Sequence, residues 1–291
     1  MSTHKYLHDN RNDQILIYVN GEILPRDKAK ISVFDSGFLL GDGVWEGIRF
    51  HNGHLVFIQE HLDRLFHGAS SLDIDIGISE DRIKSLIISV LDANGMVTDI
   101  HIRLVISRGL KKTPYQHPNA NIGGSTIVII PEYKKADKTI NKKGISLATV
   151  SARRGTADTQ DPRLNTLSKL NCIFACIEAD KKGADEGLMK DVNGNVSTCN
   201  STNFFVIKEK EVWTSTGEYC LPGVTRGAII QLCKENNIPI HEKNFSVDDV
   251  INADEAFVTG TFAGVIPAVN IDGKMIGDGK RGHVTETLFN L

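Results

Sequence analysis

At 291 residues the chain has room for one large domain or two ordinary ones, each with a sizeable core. A hydrophobic share of 41%, a charged share of 24% and a formal net charge of −3 are those of an ordinary soluble protein, and they offer no basic surface for nucleic acid. The cysteines (Cys172, Cys176, Cys199, Cys220, Cys233) are odd in number and scattered, with no Cys-x-x-Cys pair and no Cys/His ligand spacing. A disulfide framework and a metal centre are therefore not indicated, and reduced thiols in a cytoplasmic compartment are expected. Cys172 and Cys176 share one predicted helix and read as core packing. Residues 1–14 are polar and lack the apolar run of a signal peptide, and no stretch approaches the ~18 apolar residues that span a membrane.

Residues 15–19 alternate into Asn20-Gly21, which predicts a strand and a tight turn, with 22–24 as the start of the next strand. Residues 35–50 (DSGFLLGDGVWEGIRF) predict a glycine-rich turn and a strand, where Gly41, Gly43 and Gly47 permit close backbone approach. Asn52-Gly53 marks another hairpin before a strand over 54–58. A helix then starts at Gln59 with acidic residues in its first turn. Arg64, within it, reads by itself as a solvated helix residue. Residues 79–94 predict a helix: Ile83, Leu86, Ile87, Val90 and Leu91 repeat at helical spacing, and Gly95 stops it. Residues 101–109 predict a strand with His101, Arg103 and Val105 on one face. An arginine inside so apolar a strand needs a partner, and a buried structural ion pair is one reading of it. Residues 123–130 form a further apolar strand.

The polar, lysine-rich stretch 131–143 (Lys134, Lys135, Lys138, Lys142, Lys143) marks a change of composition and reads as a linker. The expected division is a small α+β domain over 1–133, a linker over 134–143 and a larger α+β domain over 144–291, opening on a strand at 145–150. Pro162 bars a helix just before it. Apolar periodicity over 167–179 then predicts a helix with Leu170, Ile173, Phe174 and Ile177 on one face, stopped by Gly183. A short strand at 187–189, a turn at Asn193-Gly194 and a returning strand from Val196 to Ile207 follow. After a strand at 212–215, LPGVTR (221–226) leads into a helix over 227–236. A Pro-Gly turn opening onto a helix N-terminus presents free N–H groups and so an anion site, although Pro and Gly punctuate many turns. Residues 255–265 (EAFVTGTFAGV) predict a buried strand into a Gly-Thr turn, 271–274 a hairpin turn, and 276–279 the close of the fold.

Taken together, GVWEGIR, HLDRL, HIRLVISRG, LPGVTR and VTGT resemble the signatures of the class IV (fold type IV) pyridoxal-phosphate aminotransferases. That family holds the branched-chain and D-amino-acid aminotransferases and aminodeoxychorismate lyase. The likeness runs from about residue 17 to about residue 282 and is closest to the branched-chain pattern. It implies an α+β two-domain fold with the site between the domains, a homodimer, and pyridoxal 5'-phosphate as cofactor. It also implies that Arg64, Val224, Thr225 and Thr261 hold the cofactor phosphate; arginine suits that task by its planar donor fork. Trp45 falls where the family has an aromatic wall of the substrate pocket. His101 and Arg103 fall on the substrate side, toward the amino-acid carboxylate.

Two positions depart from the family pattern. The lysine that holds the cofactor aldehyde as a Schiff base falls on Asn165, which cannot form one. Lys169 stands where the branched-chain branch has a tyrosine bonded to the cofactor's ring oxygen. On a helix running through 165 and 169 the two side chains would share a face, so Lys169 is expected to carry the cofactor, with Leu170 and Ile173 burying it. A surface helix lysine is the plainer alternative. Thr198, in Val196-Ser197-Thr198-Cys199, replaces a glutamate that faces the pyridine nitrogen. A hydroxyl only shares a hydrogen bond there, so the electron sink is expected to be weaker. The expected activity is transfer of an amino group between a branched-chain-like or other apolar amino acid and a 2-oxo acid. The alternatives are an aminodeoxychorismate-lyase-type enzyme and a cofactor-binding protein with lost or altered catalysis. No metal, nucleic-acid or membrane partner is expected.

Overall fold

A computed structural model describes residues 8–137, 139–262 and 264–291; the first seven residues of the polar N-terminus, Lys138 of the lysine-rich stretch and Ala263 of the Gly-Thr turn lie outside them. Two compact units result. The first runs through Lys135 and also takes in Leu164–Ser168, and the second comprises Ala136–Arg163 and Lys169–Leu291.

In the first unit, β1 (Leu16–Val19), β2 (Glu22–Pro25), β3 (Gly43–His51), β4 (His54–Val56), β5 (Ile100–Ser107) and β6 (Thr126–Tyr133) form a sheet in the order β2-β1-β6-β5-β3-β4. Each of its pairings is antiparallel among the described residues. The two Asn-Gly turns are read correctly: Asn20 and Gly21 have φ of 47° and 103°, and Asn52 and Gly53 have 48° and 80°. Two successive positive φ values match the twist of a tight hairpin. A short helix, α1 (Ser36–Leu40), precedes β3 where the sequence predicted only a turn. Alternation along β3 buries Val44, Glu46, Ile48 and Phe50 on one face. Helices α2 (Ile58–Ser71) and α3 (Glu80–Ala93, capped by the Ser79 side chain) close that face into one apolar core. Gly68 sets how closely α2 lies on β3, since a Cβ there would sit 3.3 Å from Val44 Cγ1.

Residues 164–168 do not begin a helix. They lie along the start of β3, with Leu167 N–H donating to Gly43 O at 2.9 Å and a bridge between Val44 and Thr166. Helix α6 (Leu170–Lys181) starts only afterwards. Leu167 is apolar for a different reason from the helix: its Cδ1 packs by Gly43, 2.7 Å from where a Cβ would be.

The second unit contains α4 (Ile140–Lys143), β7 (Ile145–Arg153), α5 (Ala157–Gln160), α6, β8 (Glu186–Lys190), β9 (Val196–Cys199), β10 (Asn203–Lys208), β11 (Glu211–Thr214), α7 (Val224–Glu235), β12 (Ile240–Glu242), α8 (Val247–Ile251), β13 (Glu255–Gly260), β14 (Gly264–Ile271), β15 (Lys274–Met275) and α9 (His283–Asn290). Its strands run β12-β11-β10-β13-β14-β7-β8-β9, with β15 on β14. β7 is parallel to both β14 and β8. Strands covered on both faces need apolar side chains throughout, which is why β10 reads Phe204-Phe205-Val206-Ile207 without alternation. Part of the expected linker is built in: Ile140 of α4 lies in this unit's core.

The structure also corrects the sequence expectation at the strand after Val196 and at helix α6. The returning strand from Val196 is two strands, because the chain changes neighbours: β9 pairs with β8, and β10 pairs with β11 and β13. The expected buried face of α6 is the outward one, with Leu170, Ile173, Phe174 and Ile177 exposed at 64%, 48%, 61% and 46%. The helix instead lies on β7 and β8 through Ala175 and Ala179, and the approach is so close that a Cβ on Gly187 would sit 2.9 Å from Ala175 O. Cys176 is accordingly exposed and Cys172 half-buried, its Sγ accepting from Arg154 at 3.3 Å, so neither is plain core packing.

Gly43 offers a stability test. A Cβ there would fall 2.4 Å from Ile106 O, a backbone atom held in the β3–β5 ladder. Gly43→Ala is expected to cost about 1–3 kcal/mol in chemical denaturation, the range for overpacking a tight site. Stability equal to wild type would show that the ladder at β3 yields easily.

Candidate cofactor and substrate site

Trp45 gathers several of the expected site residues in the first unit. Its backbone N–H donates to Asn165 O at 3.0 Å, and its indole Nε1–H to Thr166 O at 3.1 Å. The Asn165 carboxamide donates back to Trp45 O at 2.7 Å. Across β5, the Arg103 guanidinium lies 3.7 Å over the indole ring, an attractive cation–π stack. Gly47 makes the room, since a Cβ there would meet His101 Cε1 at 2.9 Å and the Trp45 ring at 3.6 Å. Trp45, His101 and Arg103 thus share one face of the sheet, with Asn165 tied to its edge. Burial pulls Arg103 below its usual pKa, against the pull of Glu132 and Glu46. Burial does the same to Lys134, with Glu132 opposing and Arg103 adding to it. Partly desolvated cations on one face favour an anionic group such as a carboxylate.

Arg64 belongs to the other face of β3. It grips Glu46 with two donors, Nε to Oε1 at 2.8 Å and Nη2 to Oε2 at 2.7 Å. His61 Nδ1 lies 2.7 Å from the same Oε2. Burial pushes the Glu46 carboxyl upward, but hydrogen bonds from His61 and Arg64 outweigh it and hold the group below its ordinary value. Sequence reasoning missed Glu46 and His61. The available signals were a lone acid at a core-facing position, between Val44 and Ile48, and a histidine one helical turn before Arg64.

In the second unit, α7 begins at Val224 rather than at Gly227. The N–H groups of Val224 and Thr225 therefore fall in its first turn, where no intrahelical acceptor exists and the helix dipole favours an anion. Asn203 fixes this turn. Its carboxamide donates to Leu221 O at 3.0 Å, and a Cβ on Gly223 would lie 2.0 Å from its Oδ1, so only glycine fits. Asn203 is also the register partner of Thr259, two residues before Thr261. The Val224-Thr225 turn and Thr261 are thus brought to the same end of β10.

Thr198 is buried and donates its hydroxyl proton to Thr202 O at 2.7 Å. With that proton committed, the oxygen can only accept from a further group. Behind it, Thr202 Oγ1 donates to Glu186 Oε2 at 2.7 Å. Burial lifts Glu186 to about 7, against the hydrogen bonds from Thr202 and Ser201. Burial also pushes the Cys199 thiol well up. Glu186, too, was not singled out by sequence. Lys169 is half-buried and stands just before α6 in a non-helical conformation, φ −114° and ψ 13°. It shares no helix with Asn165, and Leu170 and Ile173 face outward, so the helical argument for its role does not hold. Among the described residues no group of three or more His, Cys, Asp or Glu could hold a metal ion, and no helix is long and apolar enough to cross a membrane.

A helix N-terminus and Thr261 thus lie at one end of β10, and a tryptophan–arginine face lies on the other α+β unit. The chain belongs to the amino-transferase class IV family, whose model matches residues 43–271. It is 40% identical over 279 residues to branched-chain-amino-acid aminotransferase-like protein 1 of Arabidopsis thaliana, covering 96% of this chain and 50% of that protein, so it spans about half of that relative's length. A putative branched-chain-amino-acid aminotransferase of Methanocaldococcus jannaschii is 35% identical, with 94% and 93% covered. Among solved structures, a T.th. branched-chain amino acid aminotransferase with pyridoxamine 5'-phosphate superposes with a TM-score of 0.89 at 27% identity, covering 95% of this chain and 92% of that one.

Glu186 supplies a pH test. Its folded value of about 7 stands above that of an unfolded glutamate, so the native state keeps a proton that the unfolded chain has released. The stability this contributes is complete below the unfolded pKa and is lost as pH rises through the folded one. Glu186→Gln keeps a neutral group at all pH values. Melting scans are expected to show wild type losing ground to the variant between about pH 5 and about pH 8. A gap that stays constant would mean that Glu186 does not titrate in this range.

Proposed function

We propose that this chain is a pyridoxal-5'-phosphate-dependent transaminase that moves an amino group between a branched-chain-like or other apolar amino acid and a 2-oxo acid. The observation that carries this reading is the anion half-site of the second unit, where Asn203 holds the turn that opens α7. The relative solved with pyridoxamine 5'-phosphate supports a ligand of that class. When bound, the cofactor supplies an aldehyde to receive the amino group and a ring to take up the electron pair of the substrate's α-carbon. Val224 and Thr225 N–H, the Thr225 hydroxyl, Thr261 and Arg64 are assigned to the phosphate. Thr198, with its own proton committed to Thr202 O, would accept from the ring nitrogen only when that nitrogen is protonated, and it brings no charge to favour that form. Trp45 takes the apolar side chain of the substrate, and His101 and Arg103 take its carboxylate. Asn165 has no amine to offer, and its carboxamide is occupied with Trp45 O. Lys169 is assigned the aldehyde end and the α-proton, as the lysine next in sequence.

A second reading is a cofactor-holding protein without transamination, favoured by the tied carboxamide of Asn165 and the uncharged Thr198. A lyase of the aminodeoxychorismate type is separated by feeding an amino acid alone, since only a transaminase then leaves the cofactor in its amine form. We also propose a homodimer in the cytoplasm. The outward apolar face of α6 suits a second copy of the chain, and free cysteines suit a reducing compartment. A monodisperse monomer at assay concentration would count against the dimer.

Borohydride treatment of the protein loaded with pyridoxal 5'-phosphate, followed by peptide mass mapping, is expected to label the Lys169 peptide and to leave Lys169→Ala unlabelled. Label on another lysine would move the role there. Bound cofactor with no label at all would favour the cofactor-holding reading. Arg64→Ala and Thr261→Ala are each expected to weaken cofactor binding by about 1.5–3 kcal/mol, the worth of a charge-assisted hydrogen bond, without unfolding the chain. Unchanged affinity in both would remove them from the phosphate site.

A further inference from the structure

We infer that Glu46, buttressed by His61, is a positioning residue for Arg64 and makes its guanidinium a fixed anion-binding group. The inference rests on the phosphate-cofactor reading of this chain. Glu46 occupies a core position: it is fully buried on the α2 side of β3, between Val44 and Ile48 and within a cluster that includes Leu62 and Leu65. Desolvating a carboxylate there costs several kcal/mol, and a buried ion pair seldom returns more stability than an apolar residue of the same volume. His61 adds to the cost. It is 1% exposed, and its Nε2 has no hydrogen-bond partner among the described residues. Stability alone gives a poor account of this cluster.

Its return is geometric. A carboxylate only accepts, so His61 Nδ1–H and both Arg64 nitrogens must donate. Nε meets Oε1 at 2.8 Å and Nη2 meets Oε2 at 2.7 Å, a two-point grip that fixes both the plane and the rotation of the guanidinium. His61, one turn earlier on the same face of α2, holds Oε2 at 2.7 Å and keeps the carboxylate from turning away. Gly68 sets the depth of the helix on β3. The Arg64 side chain is left 12% exposed, so the ordered group still reaches the surface of the unit.

Positioning and simple electrostatics predict opposite signs. A carboxylate beside an arginine weakens its pull on an anion, so by charge alone Glu46→Gln should tighten anion binding. By positioning it should weaken it. Calorimetric titration of the full chain with pyridoxamine 5'-phosphate and with unphosphorylated pyridoxamine decides between them, using wild type, E46Q, R64Q and the double variant. Neither ligand needs a lysine to bind. E46Q is expected to bind the phosphorylated ligand about ten-fold more weakly, to bind the unphosphorylated one as wild type does, and to add no loss in the R64Q background. Tighter or equal binding of the phosphorylated ligand, or the same loss with Arg64 already gone, overturns the inference. If E46Q does not fold, as judged by circular dichroism, His61→Asn carries the test. A loss of about three-fold or more, confined to the phosphorylated ligand, then supports it, and unchanged affinity overturns it. A wild type that does not favour the phosphorylated ligand overturns the phosphate reading as well, and that failure is visible before any variant is made.

Discussion

Hydrogen bonds between Gly43–Trp45 and residues 165–167 lock that later segment onto the edge of β3: Trp45 N–H to Asn165 O, Leu167 N–H to Gly43 O, and the Asn165 carboxamide to Trp45 O. These bonds hold residues 165–167 outside any helix, and α6 begins only at Leu170. At Gly43 the β5 backbone on one side and Leu167 Cδ1 on the other leave no space for a side chain. The Asn165 carboxamide answers the Trp45 carbonyl with one good hydrogen bond, so the residue fits this edge of the sheet on structural grounds alone.

Two other polar groups do comparable work in apolar surroundings. Asn203 spends its carboxamide on Leu221 O and its bulk on the face of Gly223, and so aligns the turn that opens α7. Glu46 spends both oxygens on Arg64 and His61. In each case a buried polar side chain fixes the orientation of groups able to meet an anion. Glu186 differs. Hydrogen bonds from Thr202 and Ser201 do not offset its burial, and its carboxyl is lifted to about 7. The group behind Thr198 is therefore a carboxyl that resists ionisation, held through the Thr202 hydroxyl.

Much of the fold was legible because local chemistry and the global answer agree. Asn-Gly pairs force hairpins, Ser79 caps α3, and alternation in β5 places His101 and Arg103 together. The LPGVTR string marked its helix N-terminus, although the helix starts at Val224 rather than Gly227. Periodicity misled where a residue is apolar for a reason outside its own element. Leu167 extends the pattern of α6 backwards but packs on glycines of the first unit. The four bulky residues of α6 outvoted its alanines, yet it is Ala175 and Ala179 that are buried, where the helix comes close to Gly187. The break between β9 and β10 was invisible because both halves are apolar and only the neighbours change. Glu46 and His61 carry no repeating signal. They become meaningful when β3 and α2 are seen to bring them to a common carboxylate.

The placement of Leu164–Ser168 also bears on the order in which the chain can mature during synthesis. Residues through Lys135 emerge from the ribosome first, yet their sheet lacks its added edge until residue 168 has followed. Until then the upper part of β3 offers unpaired backbone groups to whatever strand is nearby, which is a known route to mispairing in growing chains. Cutting this gene at the lysine-rich stretch to express the first unit alone would leave it in that unfinished state. A shortened chain that rejoins 164–168 through a brief designed turn would follow the connectivity the molecule uses.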